Sequence, residues 1–182
     1  SINEVLVFSY NKKEKLNLNN LKDFDEVLNQ STLDESFERF EFDHPIYILY
    51  SSGTTGRPKG VYFSQRQLVL HTLGLGIALS SNPQQGRLHA SDVYMPITPM
   101  FHVHAWGVPY LVTLLGVKQV YPGRYEPDML CRLIKEEKVS FSHCVPTILQ
   151  MVLGAPGAQG HDFGGMKMII GGSALNRSLY EA

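Results

Sequence analysis

Along this chain short apolar runs alternate with polar connections and stretches of helical spacing. Val5-Leu6-Val7-Phe8 predicts an opening strand, Glu4 to Phe8. Asn11 to Asn20, rich in Asn and Lys, predicts a loop. Leu21 to Gln30 has weak helical spacing, and Leu33 to His44 is an acidic surface connection. Pro45 to Tyr50 predicts a short buried strand built on Ile46, Tyr47, Ile48 and Leu49. A second short strand, Gly60 to Phe63, runs up to Ser64, the N-cap of a helix through Leu79.

The same alternation continues to the end. Asp92 to Ile97 is a strand, followed by a loop at Pro99-Met100-Phe101-His102 and an apolar helix from Val103 to Leu115. Val117 to Tyr121 is a strand. Glu126 to Glu137 is an amphipathic helix with acids early and bases late, as the helix dipole prefers. Val139 to His143 is a strand, and Pro146 to Leu153 a helix with Pro in its first turn. Ala155 to Gly165 is a Gly-rich loop, Met168 to Ile170 a strand, and Asn176 the cap of a last helix. Strands alternating with helices imply an α/β fold, a layered α/β/α sandwich with a mainly parallel sheet.

Bulk properties change this picture little. Among 182 residues, 43% are hydrophobic and 18% charged, and the net charge is −1. A chain of this size can bury roughly 70% of its unfolded surface. Without a basic stripe, nucleic acid and anionic membrane surfaces are poor partners. No apolar run approaches the ~18 residues that a transmembrane segment needs. The two cysteines, Cys131 and Cys144, stand in apolar surroundings and form no C-x-x-C pair. Buried structural thiols and a reducing, cytoplasmic compartment follow.

The chemistry concentrates in Ser51-Ser52-Gly53-Thr54-Thr55-Gly56-Arg57-Pro58-Lys59-Gly60. Gly53 and Gly56 let the backbone turn and approach a triphosphate, and N–H groups in such turns form anion nests. Ser51, Ser52, Thr54 and Thr55 add hydroxyls, which can also face a Mg²⁺ ion. Lys59 supplies a point charge for phosphate oxygens. The segment is not a Walker A loop: Pro58 stands where that motif has its second glycine, and Lys59 is followed by Gly60. It resembles, without a departure, the first phosphate-loop motif of the adenylate-forming superfamily of acyl-CoA synthetases, peptide-synthetase adenylation domains and beetle luciferases. That resemblance implies two steps. A carboxylate attacks the α-phosphate of Mg-ATP to give acyl-AMP and pyrophosphate, and a thiol, usually of coenzyme A, then displaces AMP. Lys59 and Thr55 are the implied catalytic residues of the loop, with Thr54 and Thr55 as possible Mg²⁺ contacts.

A second constellation is Pro99-Met100-Phe101-His102-Val103-His104-Ala105-Trp106-Gly107. Taken alone, His102 fits a satisfied core histidine at a helix start, and Trp106 fits core packing. A metal reading of His102 and His104 is disfavoured, because residues two apart on a helix face different ways. The Pro-x-Phe-His pattern is similar to the superfamily's acyl-pocket motif, in which His102 takes the place of the active-site histidine. Its Phe-His-Val-x-Ala-Trp form is similar to the medium- and long-chain fatty-acyl-CoA synthetase branch, where the aromatic at Trp106 lines or gates the acyl tunnel. On a helix from Val103, Trp106 and His102 are expected to look into one cavity. The third constellation, Met166-Lys167-Met168-Ile169-Ile170-Gly171-Gly172-Ser173-Ala174-Leu175, is weak by itself. In its order it resembles the family segment bordering both adenine and acyl pockets, which brings in Gly171, Gly172, Ser173 and Ala174.

The resemblance covers residues 45–182 closely and residues 1–44, an entry strand and connection, more loosely. It implies part of an N-terminal AMP-binding domain. The Tyr-Gly-x-Thr-Glu motif, the ribose-binding aspartate motif and the small C-terminal domain with its lysine are expected outside these residues. The 182-residue chain alone is therefore expected to be inactive. The implied ligands are ATP, Mg²⁺, a fatty acid and coenzyme A, and the parent protein has room for a homodimer. An aromatic, short-chain or amino acid substrate, or a nucleotide- or acyl-binding module without turnover, remains open at this point.

Overall fold

The computed structural model describes residues 5–7, 21–32, 36, 38–51, 57–81 and 87–181. The chain divides into two units, residues 1–40 and 41–182. In the first, β1 (Val5–Val7) pairs in parallel with β2 (Leu21–Asp23), and α1 (Phe24–Gln30) follows directly. The predicted loop at Asn11 to Asn20 lies outside the described residues.

The second unit begins with β3 (Pro45–Ser51) and β4 (Lys59–Ser64), which pair antiparallel from Tyr47↔Phe63 to Ser51↔Lys59. Pro45 to Tyr50 is thus a half-exposed hairpin strand and not the buried strand expected from its apolar run. The connection between Ser51 and Lys59 is far shorter than the dozen or so residues a parallel crossover needs. A hairpin is what such a connection permits. Side chains on β3 alternate: Tyr47 and Leu49 are half-buried, while Ile48 is 60% and Tyr50 73% exposed. Both faces of β3 are apolar, so composition alone could not reveal that only one is covered.

Ser64 ends β4 and caps α2 (Gln65–Ser80) as predicted. Its hydroxyl accepts from the Gln67 amide at 3.3 Å, and Gln67 Oε1 accepts from the Ser64 amide at 2.8 Å. This reciprocal pair satisfies two N–H groups that a helix start otherwise leaves open.

The main sheet is parallel throughout, in the order β6-β5-β7-β8, with β5 (Val93–Pro96), β6 (Lys118–Gln119), β7 (Phe141–Cys144) and β8 (Lys167–Ile170). Helices cover both faces. On one, Tyr94 and Phe141 pack with Val108, Leu111 and Val112 of α4 (Val108–Leu114) and with Leu75 and Leu79 of α2. On the other, Met95 and Cys144 pack with Leu130 and Ile134 of α5 (Pro127–Glu137) and with Val152 of α6 (Pro146–Leu153). The expected α/β/α layering follows from the two-residue period of β5, whose consecutive buried side chains serve opposite faces. Cys131 and Cys144 are buried free thiols. The last helix, α7 (Arg177–Glu181), is capped by Asn176, whose Oδ1 accepts from the Leu179 amide at 2.8 Å.

The expected helix from Val103 to Leu115 is broken. Val103, His104, Ala105 and Trp106 have φ of 50°, 48°, 49° and 59°, and Gly107 has 74°. They form α3 (Val103–Trp106), a single turn of left-handed backbone, before right-handed α4 begins. Only Gly107 takes that conformation without a steric penalty. Each of the others costs roughly 1–2 kcal/mol, so surrounding contacts must hold the turn.

At the amino ends of the strands a polar lock ties the sheet together. Asp92, 7% exposed, accepts from Lys167 Nζ at 2.6 Å, Ser140 Oγ at 2.7 Å and the His89 amide at 2.7 Å. Burial alone would raise this carboxyl. The bonds from Lys167, Ser140 and His89, with the Lys167 charge, outweigh it and hold the pKa below the usual value.

Candidate functional site

The loops that follow β5, β7 and β8 share one rim, because the three strands are parallel neighbours. Open α/β sheets bind ligands at that rim. The Trp106 indole, reached from β5 through the left-handed turn, lies against the turn after β8. A Cβ on Gly171 would stand 2.9 Å from its Cη2 atom. Gly172, with φ of 83°, backs onto Val145 after β7, where a Cβ would meet Val145 Cγ1 at 2.9 Å. Two of the three predicted constellations thus come together through glycine positions with no space for a side chain.

A cleft of about 560 Å³ opens between the β3–β4 hairpin, α2 and the left-handed turn. Tyr47, Leu49, Phe63, Leu68, Val103 and Trp106 give it largely apolar walls. Val103 and Trp106 both line this cleft. His102 does not share it. Its side chain is exposed at the start of the turn, and its amide donates to Pro99 O at 2.9 Å. Reversing the hand of the backbone removes the one-turn alignment with Trp106 that a right-handed helix would have given.

Polar groups hold the turn from several directions. His71 Nε2–H, on α2, donates to Trp106 O at 3.2 Å. His104 Nδ1 is 2.5 Å from Tyr110 Oη, and the Tyr47 ring stacks on His104 with centroids 3.8 Å apart. Burial lowers the His104 pKa. His104 is thus engaged with two tyrosines, and among the described residues no three His, Cys, Asp or Glu side chains stand together as a metal site.

Behind Trp106 lies His143, fully buried on β7. Its Nε2 is 2.6 Å from Tyr94 Oη and its Nδ1 2.9 Å from Thr98 Oγ1. Burial pushes its pKa down to about 4. Sequence reasoning passed over His71, Tyr94, Thr98 and His143. The available signal was a run of Ser142 and His143 inside a strand otherwise apolar, since a polar residue in a core strand requires a partner.

Ser51 closes β3 opposite Lys59, which opens β4 with an exposed side chain. Ser52, Gly53, Thr54, Thr55 and Gly56 lie outside the described residues. Ser173 and Ala174 are exposed beyond the Gly171-Gly172 turn.

A parallel sheet with helices on both faces carries the Phe-His and Gly-Gly loops at its carboxyl rim, beside an antiparallel hairpin. The sequence model of the AMP-binding enzyme family matches residues 4–182, and the chain belongs to that family. Over 134 residues it is 42% identical to a long-chain-fatty-acid–CoA ligase of Thermus thermophilus, covering 72% of this chain and 24% of that protein. A medium-chain-fatty-acid–CoA ligase of Ectopseudomonas oleovorans is 39% identical over 134 residues, with the same coverage. The chain thus spans about a quarter of the length of these relatives, 24% in each case. The inhibitor-bound N-terminal domain of FACL13 from Mycobacterium tuberculosis superposes with a TM-score of 0.74 at 25% identity, over 88% of this chain and 40% of that one. No helix among the described residues is long and apolar enough to cross a membrane.

Proposed function

We propose that this chain is part of an ATP-dependent acid–thiol ligase that activates a fatty carboxylate as acyl-AMP and transfers the acyl group to coenzyme A. The observation that carries the reading is the apolar cleft walled by Val103 and Trp106, with the hairpin that bears the phosphate-loop sequence as its opposite wall. Its lining suits an alkyl tail. The names of the two ligases cited above support the same substrate class.

In the first half-reaction a carboxylate oxygen of the acid attacks the α-phosphorus of ATP. The bond to the bridging oxygen breaks and pyrophosphate leaves. ATP enters with Mg²⁺, for which the Thr54 and Thr55 hydroxyls are the proposed contacts. Ser51, Ser52, Thr54, Thr55 and the amides around Gly53 and Gly56 hold phosphate oxygens, and Lys59 supplies a cation as charge moves toward the leaving group. His102 orients the carboxylate. Gly171, Gly172, Ser173 and Ala174 offer backbone against which adenine and the acyl group can lie. In the second half-reaction the coenzyme A sulfur attacks the acyl carbonyl carbon, and AMP leaves with the oxygen that joined it. A cytoplasmic location belongs to the same proposal and rests on the two unpaired buried thiols.

The test is acid-dependent ATP–pyrophosphate exchange by the full-length protein, with acids from acetate to palmitate and benzoate. Exchange with medium- or long-chain acids is expected, and Lys59→Ala combined with Thr55→Ala should lower it by about 100-fold or more. Exchange with benzoate alone would make the substrate an aromatic acid. A folded protein that binds ATP yet exchanges with no acid would be a binding module without turnover.

A further inference from the structure

The His143 ring is committed at both nitrogens. Thr98 Oγ1 lies 3.3 Å from the His143 carbonyl and donates its proton there. Thr98 therefore accepts at its oxygen, which assigns the imidazole proton to Nδ1 and leaves Nε2 to accept from Tyr94 Oη. The neutral ring is satisfied in one orientation, with its plane fixed by residues at positions 94 and 98 on neighbouring backbone. An apolar side chain would fill the same volume without needing two partners, but it would not fix a ring plane in this way.

The third contact of this ring is Trp106. The indole and imidazole centroids are 5.1 Å apart with a 34° interplanar angle. The far edge of the indole rests on Gly171, and Trp106 also lines the apolar cleft. Trp106 thus stands as a wall between the cleft and the Gly-Gly turn. Its own backbone, at φ of 59°, has no intrinsic preference for that position.

We propose that His143 is a positioning residue: its ring, tied to Tyr94 and Thr98, sets where the Trp106 indole closes the cleft and so which length of acid tail fits. The proposal rests on the reading that the cleft takes the tail of the acid. It assigns length selection to a side chain that never touches the substrate, acting through one that does.

The test compares the full-length wild type with His143→Ala and Tyr94→Phe. The readouts are the chain-length profile of exchange, separate KM values for acid and ATP, and Trp106 emission taken as the difference from matched Trp106→Phe proteins. In His143→Ala the indole loses its backing. The preferred acid should become longer, and discrimination between neighbouring lengths should change about 10-fold, the scale of a methylene in an apolar pocket. KM for ATP should change less than KM for the acid, because the proposed phosphate contacts lie on the β3–β4 connection and only the Gly171 edge of the adenine site borders the indole. Trp106 emission should shift to the red and become more accessible to acrylamide. Tyr94→Phe removes one tie without opening a cavity, so it keeps the proposal testable if His143→Ala fails to fold; it should move both readouts the same way by less.

A folded His143→Ala protein with an unchanged length profile overturns the proposal. So does a changed profile with unchanged Trp106 emission, since the effect would then bypass the indole. If the wild type exchanges with no acid, the functional reading fails on its own. Unmoved Trp106 emission in both variants would then overturn the positioning role, and a red shift would uphold the positioning part alone.

Discussion

Gly107→Ala tests the left-handed turn most directly. Gly107 has φ of 74°, and an added Cβ would stand 2.3 Å from His71 Nε2 and 2.6 Å from His71 Cδ2. Two effects add. An alanine in this backbone conformation costs roughly 1–2 kcal/mol. The methyl also drives the imidazole away, breaking its bond to Trp106 O, a loss of about 0.5–1.5 kcal/mol. The expected destabilisation is about 1.5–3.5 kcal/mol, read from urea unfolding of the full-length protein by circular dichroism and tryptophan emission. The cycle with His71→Ala separates the two effects. In that background there is no ring to displace, so Gly107→Ala should cost only the backbone share, roughly 1–2 kcal/mol. Equal costs in both backgrounds would refute the contact with His71. A cost below about 0.5 kcal/mol, the scatter of neutral surface changes, would refute the left-handed backbone itself.

Three further outcomes follow from the geometry. Asp92→Asn leaves the half-buried Lys167 without its anion and should destabilise by about 1.5–3 kcal/mol, with Trp106 emission unchanged because the lock lies at the opposite end of the strands. The low His143 pKa predicts a stability window. The folded state resists protonation down to about 4 while the unfolded ring titrates near 6.5, so this contribution is full above 6.5 and is lost as the pH falls toward 4. The loss approaches about 3 kcal/mol, and unfolding of His143→Ala followed across that range should lack it. Gly171→Ala presses a methyl against the indole at 2.9 Å and should cost about 1–3 kcal/mol; unaltered Trp106 emission would contradict the contact.

Local chemistry made much of this fold legible. Ser64 with Gln67, Pro146 in the first turn of α6 and Asn176 ahead of α7 are signals completed within a few residues, and each helix start lies where its signal stands. The parallel sheet was legible because buried strands alternate with helices. What escaped detection depends on distant residues. The covered face of β3 is decided by α2 and the left-handed turn. The turn itself defies local preference, since the apolar spacing from Val103 to Leu115 suits an ordinary helix; it is held by His71, Tyr47, Tyr110 and His143, which sequence spacing does not connect. Within the candidate site, Val103, Trp106 and Gly171 were legible from motif order. The His143 network was not, because its partners Tyr94 and Thr98 lie 49 and 45 positions away.

The polarity of the main sheet gives the molecule a socket-like modularity. The Asp92–Ser140–Lys167 lock fastens one rim, while Trp106, Val145 and the Gly171-Gly172 turn gather at the other. None of the lock's residues belongs to the loops at the second rim, so exchanging those loops is expected to leave the fastening at the first in place. The exception is position 106, whose ring leans on position 143 in the middle of a strand. A donor loop bringing a different side chain to 106 must fit both the imidazole at 143 and the bare backbone at 171.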